Sequence, residues 1–136
     1  MFLTGLYYWE VVKIVSEKIK EGNLKFISDG KWKRYFFIYR TKVGIPRGGH
    51  AHKECVQGLI CVSGDVSIKA YDGKTTSTFD LNENDDLCFV VFPGIWLDID
   101  FLSEDSRLLV LASHKYDESD YLRNKSDYQS WLNSTI

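Results

Sequence analysis

Between Val56 and Ser113 the chain is cut into short apolar stretches, each closed by a turn. Val66, Ile68 and Ala70 alternate with Ser67 and Lys69, the two-residue period of a strand with one buried face. Asp72-Gly73 follows as a hairpin signal, and Gly64-Asp65 and Pro93-Gly94 punctuate the neighbouring stretches. The run RLLVLAS from Arg107 to Ser113 has no polar alternation, as expected of a central strand covered on both faces. Upstream, Leu6–Val15, Asn23–Ser28 (then a turn at Asp29-Gly30) and Lys33–Arg40 also read as strands. About nine strands with no helix between them predict an all-β sandwich or barrel. We expect an antiparallel jelly-roll barrel over about residues 6–113. Past Ser113 the character changes. Asp117 and Ser119 are candidate caps, and Tyr121, Leu122, Tyr128 and Trp131 fall at helical spacing. One or two short helices are expected in a tail over 114–136, within a single domain spanning 1–136.

Composition excludes several classes of function. A net charge of -2 with no basic block argues against nucleic acid as a partner. It leaves room for a small phosphorylated ligand. No apolar run is long enough to span a membrane, and the first twenty residues lack the pattern of a signal peptide. Cys55, Cys61 and Cys88 show no CxxC spacing and read as reduced, mostly buried thiols of a cytoplasmic protein.

The chemistry concentrates in IPRGGHAHKECVQGLICVSG, Ile45 to Gly64. On an extended strand His50 and His52 project to one face, with Ala51 opposite. That face is either the barrel interior, where two imidazoles share a cavity, or ordinary polar surface. Histidine titrates near neutrality, so either ring can act as acid or base. His114 ends an apolar strand and reads as surface.

The spacing from Gly49 through His50, His52 and Gln57 to Gly64 is similar to the first motif of the cupins, a jelly-roll superfamily. Pro93-Gly94 matches the turn of the second cupin motif, but Leu97 stands where its histidine belongs. A divalent metal needs three or four N, O or S ligands. By this resemblance Gln57 replaces the carboxylate and Leu97 cannot bind, so no metal and no cofactor are expected.

A longer resemblance covers roughly Asn23 to Arg123. PRGGHAHKECVQGLICVSGDVSI, the YDG turn, PGIW and LLVLASHKYDESDYLR together resemble the sugar 3,4-ketoisomerases. These convert TDP-4-keto-6-deoxyglucose to a 3-keto sugar, on the way to 3-amino-3,6-dideoxyhexoses of bacterial surface polysaccharides. The resemblance implies a metal-independent, homodimeric jelly-roll enzyme in which His50 and His52 are the catalytic pair. It gives Gln57 the task of orienting an imidazole, with a core-edge amide as the alternative. Arg47 would hold the diphosphate or remain an exposed turn residue, and Arg34 would serve the same end or an ion pair. Trp96, Tyr35 and Trp32 would stack on base or sugar, or else fill the core. The YDESDY segment from Tyr116 would close over the barrel or cap it; capping is expected. The apolar stretch Leu6–Val15 needs a sheet to join, and exchange between subunits is one solution. This chain departs from the family pattern at Glu21, Ser28, Phe36, Phe37 and Leu97, positions that line the pocket in the family. The departures keep a second reading open, a non-catalytic module that binds a sugar nucleotide.

Overall fold

Residues 9–13, 15–19, 22–26, 32–39 and 42–135 are described by a computed structural model of the chain. In chain order the strands are β1 (Trp9–Lys13), β2 (Val15–Ile19), β3 (Gly22–Phe26), β4 (Arg34–Tyr39), β5 (Arg47–His52), β6 (Gln57–Ser63) and β7 (Asp65–Tyr71). They continue with β8 (Thr76–Asn82), β9 (Leu87–Val91), β10 (Trp96–Phe101), β11 (Arg107–Ala112) and β12 (Tyr121–Leu122), and the chain closes with helix α1 (Lys125–Ser134). Two antiparallel five-stranded sheets face each other, in the orders β1-β9-β6-β11-β4 and β12-β5-β10-β7-β8; β2 and β3 form a separate hairpin. This is the expected all-β barrel with a helical tail. Glu21, Ser28 and the Asp29-Gly30 turn lie outside the described residues.

Alternation along each strand decides what fills the barrel. Leu59 and Cys61 of β6, Val66, Ile68 and Ala70 of β7, Leu97, Ile99 and Phe101 of β10, and Leu108 and Val110 of β11 form one buried cluster with Leu81, Phe89, Val91 and Ile95. Trp9 stacks on Phe89 at 4.8 Å between ring centroids, and Phe79 lies 5.5 Å from Phe89. β1 pairs in register with β9 of its own chain, Val11 opposite Phe89. Within one chain, Trp9–Lys13 of the apolar N-terminal stretch thus has β9 to pair with. The unbroken β11 run lies between β6 and β4, with Leu108 and Val110 facing inward and Leu111 in a second cluster with Ile60, Cys88 and Val90.

The tail departs from expectation. Tyr121 and Leu122 form β12 rather than part of a helix, pairing with His52 and Ala51 of β5. Asp117 caps only a single 3-10 turn, accepting from Ser119 N at 3.0 Å. Sheet pairing and burial of Leu122 outweigh the helical spacing there. α1 starts at Asn124, whose side chain accepts from Asp127 N at 2.8 Å. It buries Tyr128 and Leu132 against Ala51, Trp96 and Leu122. The Tyr128 hydroxyl donates to Gly94 O at 2.8 Å, which pins the helix to the Pro93-Gly94 turn.

Candidate active site

β5 carries the histidines, and a local irregularity sets which way its side chains point. β5 and β10 pair Leu97 with His50 but Asp98 with Gly48, so Gly49 is the extra residue of a bulge. Its φ of 63° is the left-handed conformation that glycine adopts without a Cβ penalty. Arg47 and His50 are three residues apart and would lie on opposite faces of a regular strand. The bulge shifts the parity, and both line the same cleft.

That cleft encloses about 670 Å³ of space including its open mouth. Phe36, Ile38, Leu59, Ile99 and Val110 make its apolar floor; Arg47, His50, Gln57, Tyr121 and Arg123 supply its polar groups, with Leu97 beside them. No carboxylate lines it among the described residues.

His52 lies one step deeper, buried at 5% exposure and absent from the cleft wall. Its ring centroid is 5.0 Å from that of His50, edge to face, and 4.4 Å from that of Tyr121. Nδ1 is 2.8 Å from Asp120 Oδ2. Asp120 also accepts from Glu54 N at 2.7 Å and Cys55 N at 3.3 Å. A carboxylate held by two backbone donors orients the imidazole and favours the tautomer with its proton on Nδ1. The other nitrogen, Nε2, is buried and has no hydrogen-bond partner among the described residues. Burial and the neighbouring His50 lower the His52 pKa from 6.5 to about 4, against the raising influence of Asp120. His52 is therefore neutral at neutral pH.

Tyr121 forms a wall beside the pair. Its hydroxyl accepts from Arg34 Nη2 at 3.2 Å, and the Arg123 guanidinium lies 4.2 Å from its ring centroid. Arg123 is in turn held by Glu118 through bonds of 2.7 and 3.0 Å. Tyr116 donates to the same carboxylate at 2.5 Å. These hydrogen bonds hold the exposed Glu118 carboxyl at a pKa of about 2.

Of the residues singled out from sequence, the structure brings His50, Gln57 and Arg47 to the cleft, with His52 and Arg34 immediately behind its wall. It does not bring Tyr35 and Trp96 there. Tyr35 is 74% exposed on the outward side of β4, because Phe36 and Ile38 take the inward positions. Trp96 points away from the barrel and is buried 5.3 Å from Tyr128 between ring centroids, since its neighbour Leu97 takes the inward position. His114 is an exposed strand-end residue bonded to Ser113. Cys55, Cys61 and Cys88 are buried and none forms a disulfide. Sequence reasoning missed Asp120, Tyr121 and Arg123. Their signal was the string DESDYLR beyond the last barrel strand, read as a cap rather than as part of the site.

Comparison with known proteins bears directly on this cleft. A family model described as "FdtA: WxcM-like, C-terminal" matches residues 8–133. A TDP-4-oxo-6-deoxy-alpha-D-glucose-3,4-oxoisomerase of Aneurinibacillus thermoaerophilus is 34% identical over 100 residues, which are 74% of this chain and 71% of the relative. The chain belongs to the FdtA-like family. The sugar 3,4-ketoisomerase QdtA of Thermoanaerobacterium thermosaccharolyticum, solved with TDP, superposes on this FdtA-like chain with a TM-score of 0.87. The two are 32% identical over 95% of this chain and 97% of that one. A histidine-to-asparagine variant of QdtA, solved with TDP-4-keto-6-deoxyglucose, gives 0.88 at 31% identity over 96% and 98%. The TDP-quinovose 3,4-ketoisomerase WlaRB of Campylobacter jejuni gives 0.81 at 31% identity over 90% and 97%.

Proposed function

We infer that this FdtA-like chain is a sugar 3,4-ketoisomerase acting on a TDP-linked 4-keto-6-deoxyhexose. The observation that carries the reading is the His50–His52 pair, with His50 on the wall of a cleft rimmed by two arginines and the buried His52 behind it backed by Asp120. Relatives with this fold and more than 30% identity are ketoisomerases of TDP sugars.

The 4-keto group acidifies the neighbouring C3 hydrogen. His50, on the cleft wall, takes that proton, and the electron pair forms an enediolate across C3 and C4 with its charge on O4. The hydroxyl proton passes from O3 to O4 by way of the histidine pair, in which His52, one step behind the wall, accepts at Nε2 and is kept oriented by Asp120. Return of the carbon-derived proton to C4 leaves the carbonyl at C3. Atoms and electrons balance with no oxidant or metal. Gln57 and Tyr121 position the sugar, and Arg47 and Arg123 hold the diphosphate with charge-assisted bonds. The product fits the biosynthesis of 3-amino-3,6-dideoxyhexoses.

Assembly as a homodimer is part of the same proposal. Tyr35, Phe37 and Tyr39 expose 74, 53 and 48% on the outward side of β4, an aromatic row suited to a second copy. Light scattering at micromolar concentration checks this. Three buried cysteines outside any disulfide fit a reducing compartment such as the cytoplasm.

The activity is tested by incubating the protein with TDP-4-keto-6-deoxyglucose in heavy water and following C3 and C4 by NMR. Exchange is expected in the native protein. It should drop by about 10²–10⁴-fold in His50→Asn and His52→Asn. Binding of TDP with no exchange in the native protein would overturn the enzyme reading in favour of a binding module.

A further inference from the structure

A second group of side chains lies behind the catalytic pair. His52, Cys55 and Asp120 each offer one ligand atom, and these atoms fall within 4.8 Å of one another. We propose that His52 Nδ1, Cys55 Sγ and a carboxylate oxygen of Asp120 form an inhibitory site for one Zn²⁺ ion.

The donor set is nitrogen, sulfur and oxygen, which suits zinc rather than magnesium or calcium. Zinc ligands lie about 2.0–2.3 Å from the metal, so tetrahedral ligand atoms sit roughly 3.3–3.7 Å apart. The 2.8 Å His52–Asp120 bond would open slightly and the thiol would swing inward. Little holds that thiol in place. It donates one long bond of 3.4 Å to Val56 O, and Ser113 Oγ lies 3.9 Å from the sulfur.

Access does not run through the catalytic cleft. A separate hollow of about 410 Å³, lined by Lys53, Glu54, Asp117, Ser119 and Asp120, shares no lining residue with it. Three carboxylates against one ammonium give this hollow a negative field that concentrates cations beside Asp120.

The consequence for catalysis is a tautomer change. Zinc on Nδ1 displaces the ring proton to Nε2, and the Cys55 thiol proton leaves to solvent. Binding therefore releases one proton, and His52 can no longer accept a proton at Nε2. The inhibitory half rests on the proposed role of His52 in proton transfer; the binding half does not.

The full-length protein, stripped of metal, is titrated with Zn²⁺ and in parallel with Co²⁺. One ion per chain, release of about one proton and progressive loss of C3/C4 exchange are expected. Cobalt should give a thiolate-to-metal charge-transfer band that is absent in Cys55→Ala. Cys55→Ala should keep exchange and lose zinc inhibition; Cys55→Val serves if the alanine variant is unstable. Absence of the band in the native protein, or undiminished zinc inhibition in Cys55→Ala, overturns the site. A band with exchange unimpaired overturns the inhibition and with it the role of His52 Nε2. If the native protein shows no exchange at all, the band and the proton count still decide whether the site exists.

Discussion

The two ends of this barrel are built from the same strands and do opposite things. Inward residues of β10 run Leu97, Ile99, Phe101, and those of β6 run Gln57, Leu59, Cys61. Toward one end each series becomes larger or drier, and there Phe101 and Val66, paired across β10 and β7, are fully buried. Toward the other end the series stops at Gln57, beside His50 and Tyr121, and a cleft remains. A strand thus carries stability at one end and chemistry at the other. The largest expected effect belongs to the packed end. Phe101→Ala removes a fully buried ring paired with Val66 and should cost about 3–5 kcal/mol in denaturant unfolding. At permissive temperature the folded fraction should still exchange C3 protons at the native rate. A loss of turnover per folded molecule would erase the distinction between the two ends.

That division explains what could be read before the structure. The packed end follows from period-two alternation, because burial of one face is a local rule that each strand states for itself. Val66, Ile68 and Ala70 declare their direction without reference to any other segment. The shared face of His50 and His52 follows from the same rule. Asp120, Tyr121 and Arg123 do not, since they reach the site only because Tyr121 and Leu122 pair with β5. Nothing in the spacing of a polar tail states which strand it will join. The bulge at Gly49 is equally silent, because the sequence shows two adjacent glycines and not which one takes a positive φ. The resemblance offers Tyr35 and Trp96 either the pocket or the core, and strand parity puts Trp96 in a core cluster with Tyr128 and Tyr35 on the outer surface.

Asp120→Asn probes the link between tail and site. The asparagine amide still offers an acceptor to Glu54 N, but its NH₂ presents donors to His52 Nδ1. The ring proton then moves to Nε2. We expect kcat to fall about 100-fold, roughly 2.7 kcal/mol, with KM changed less than about twofold. The acidic limb of the pH–rate profile should shift as well, which a purely structural role for Asp120 would not produce. An unchanged profile with only a lowered melting temperature would return the tail to the role of a cap.

Acid should weaken the site end by burying a group that prefers to be neutral. The His52 pKa is about 4 in the folded state against 6.5 for an unperturbed histidine. As pH falls through 6.5 the unfolded chain takes up the proton first. Stability is therefore full above about pH 6.5 and declines toward pH 4, where the folded state also protonates. The contribution is about 3–4 kcal/mol at most. Unfolding free energies of the native protein and His52→Asn, compared at pH 7 and pH 4.5, should diverge in slope. Parallel curves would remove His52 as the source.

Gly49→Ala is the smallest and most local change. The added Cβ meets only Asp98 Oδ1 at 3.7 Å, an ordinary contact, so there is room for it. The cost comes from the backbone, since φ of 63° is unfavourable for an L side chain by about 1–2 kcal/mol. The strand has two responses. If the bulge persists, stability drops by that amount and affinity for TDP is unchanged. If it relaxes, Arg47 rotates to the outward face while His50 and His52 stay paired with the interior. KM for the TDP sugar then rises several-fold, kcat per bound substrate holds, and binding of TDP loses salt dependence. A rise in KM without loss of stability identifies relaxation, because the strain has been exchanged for a misdirected arginine. Equal losses in kcat and kcat/KM would instead mean that the bulge positions the histidines, and that the parity argument for Arg47 is wrong.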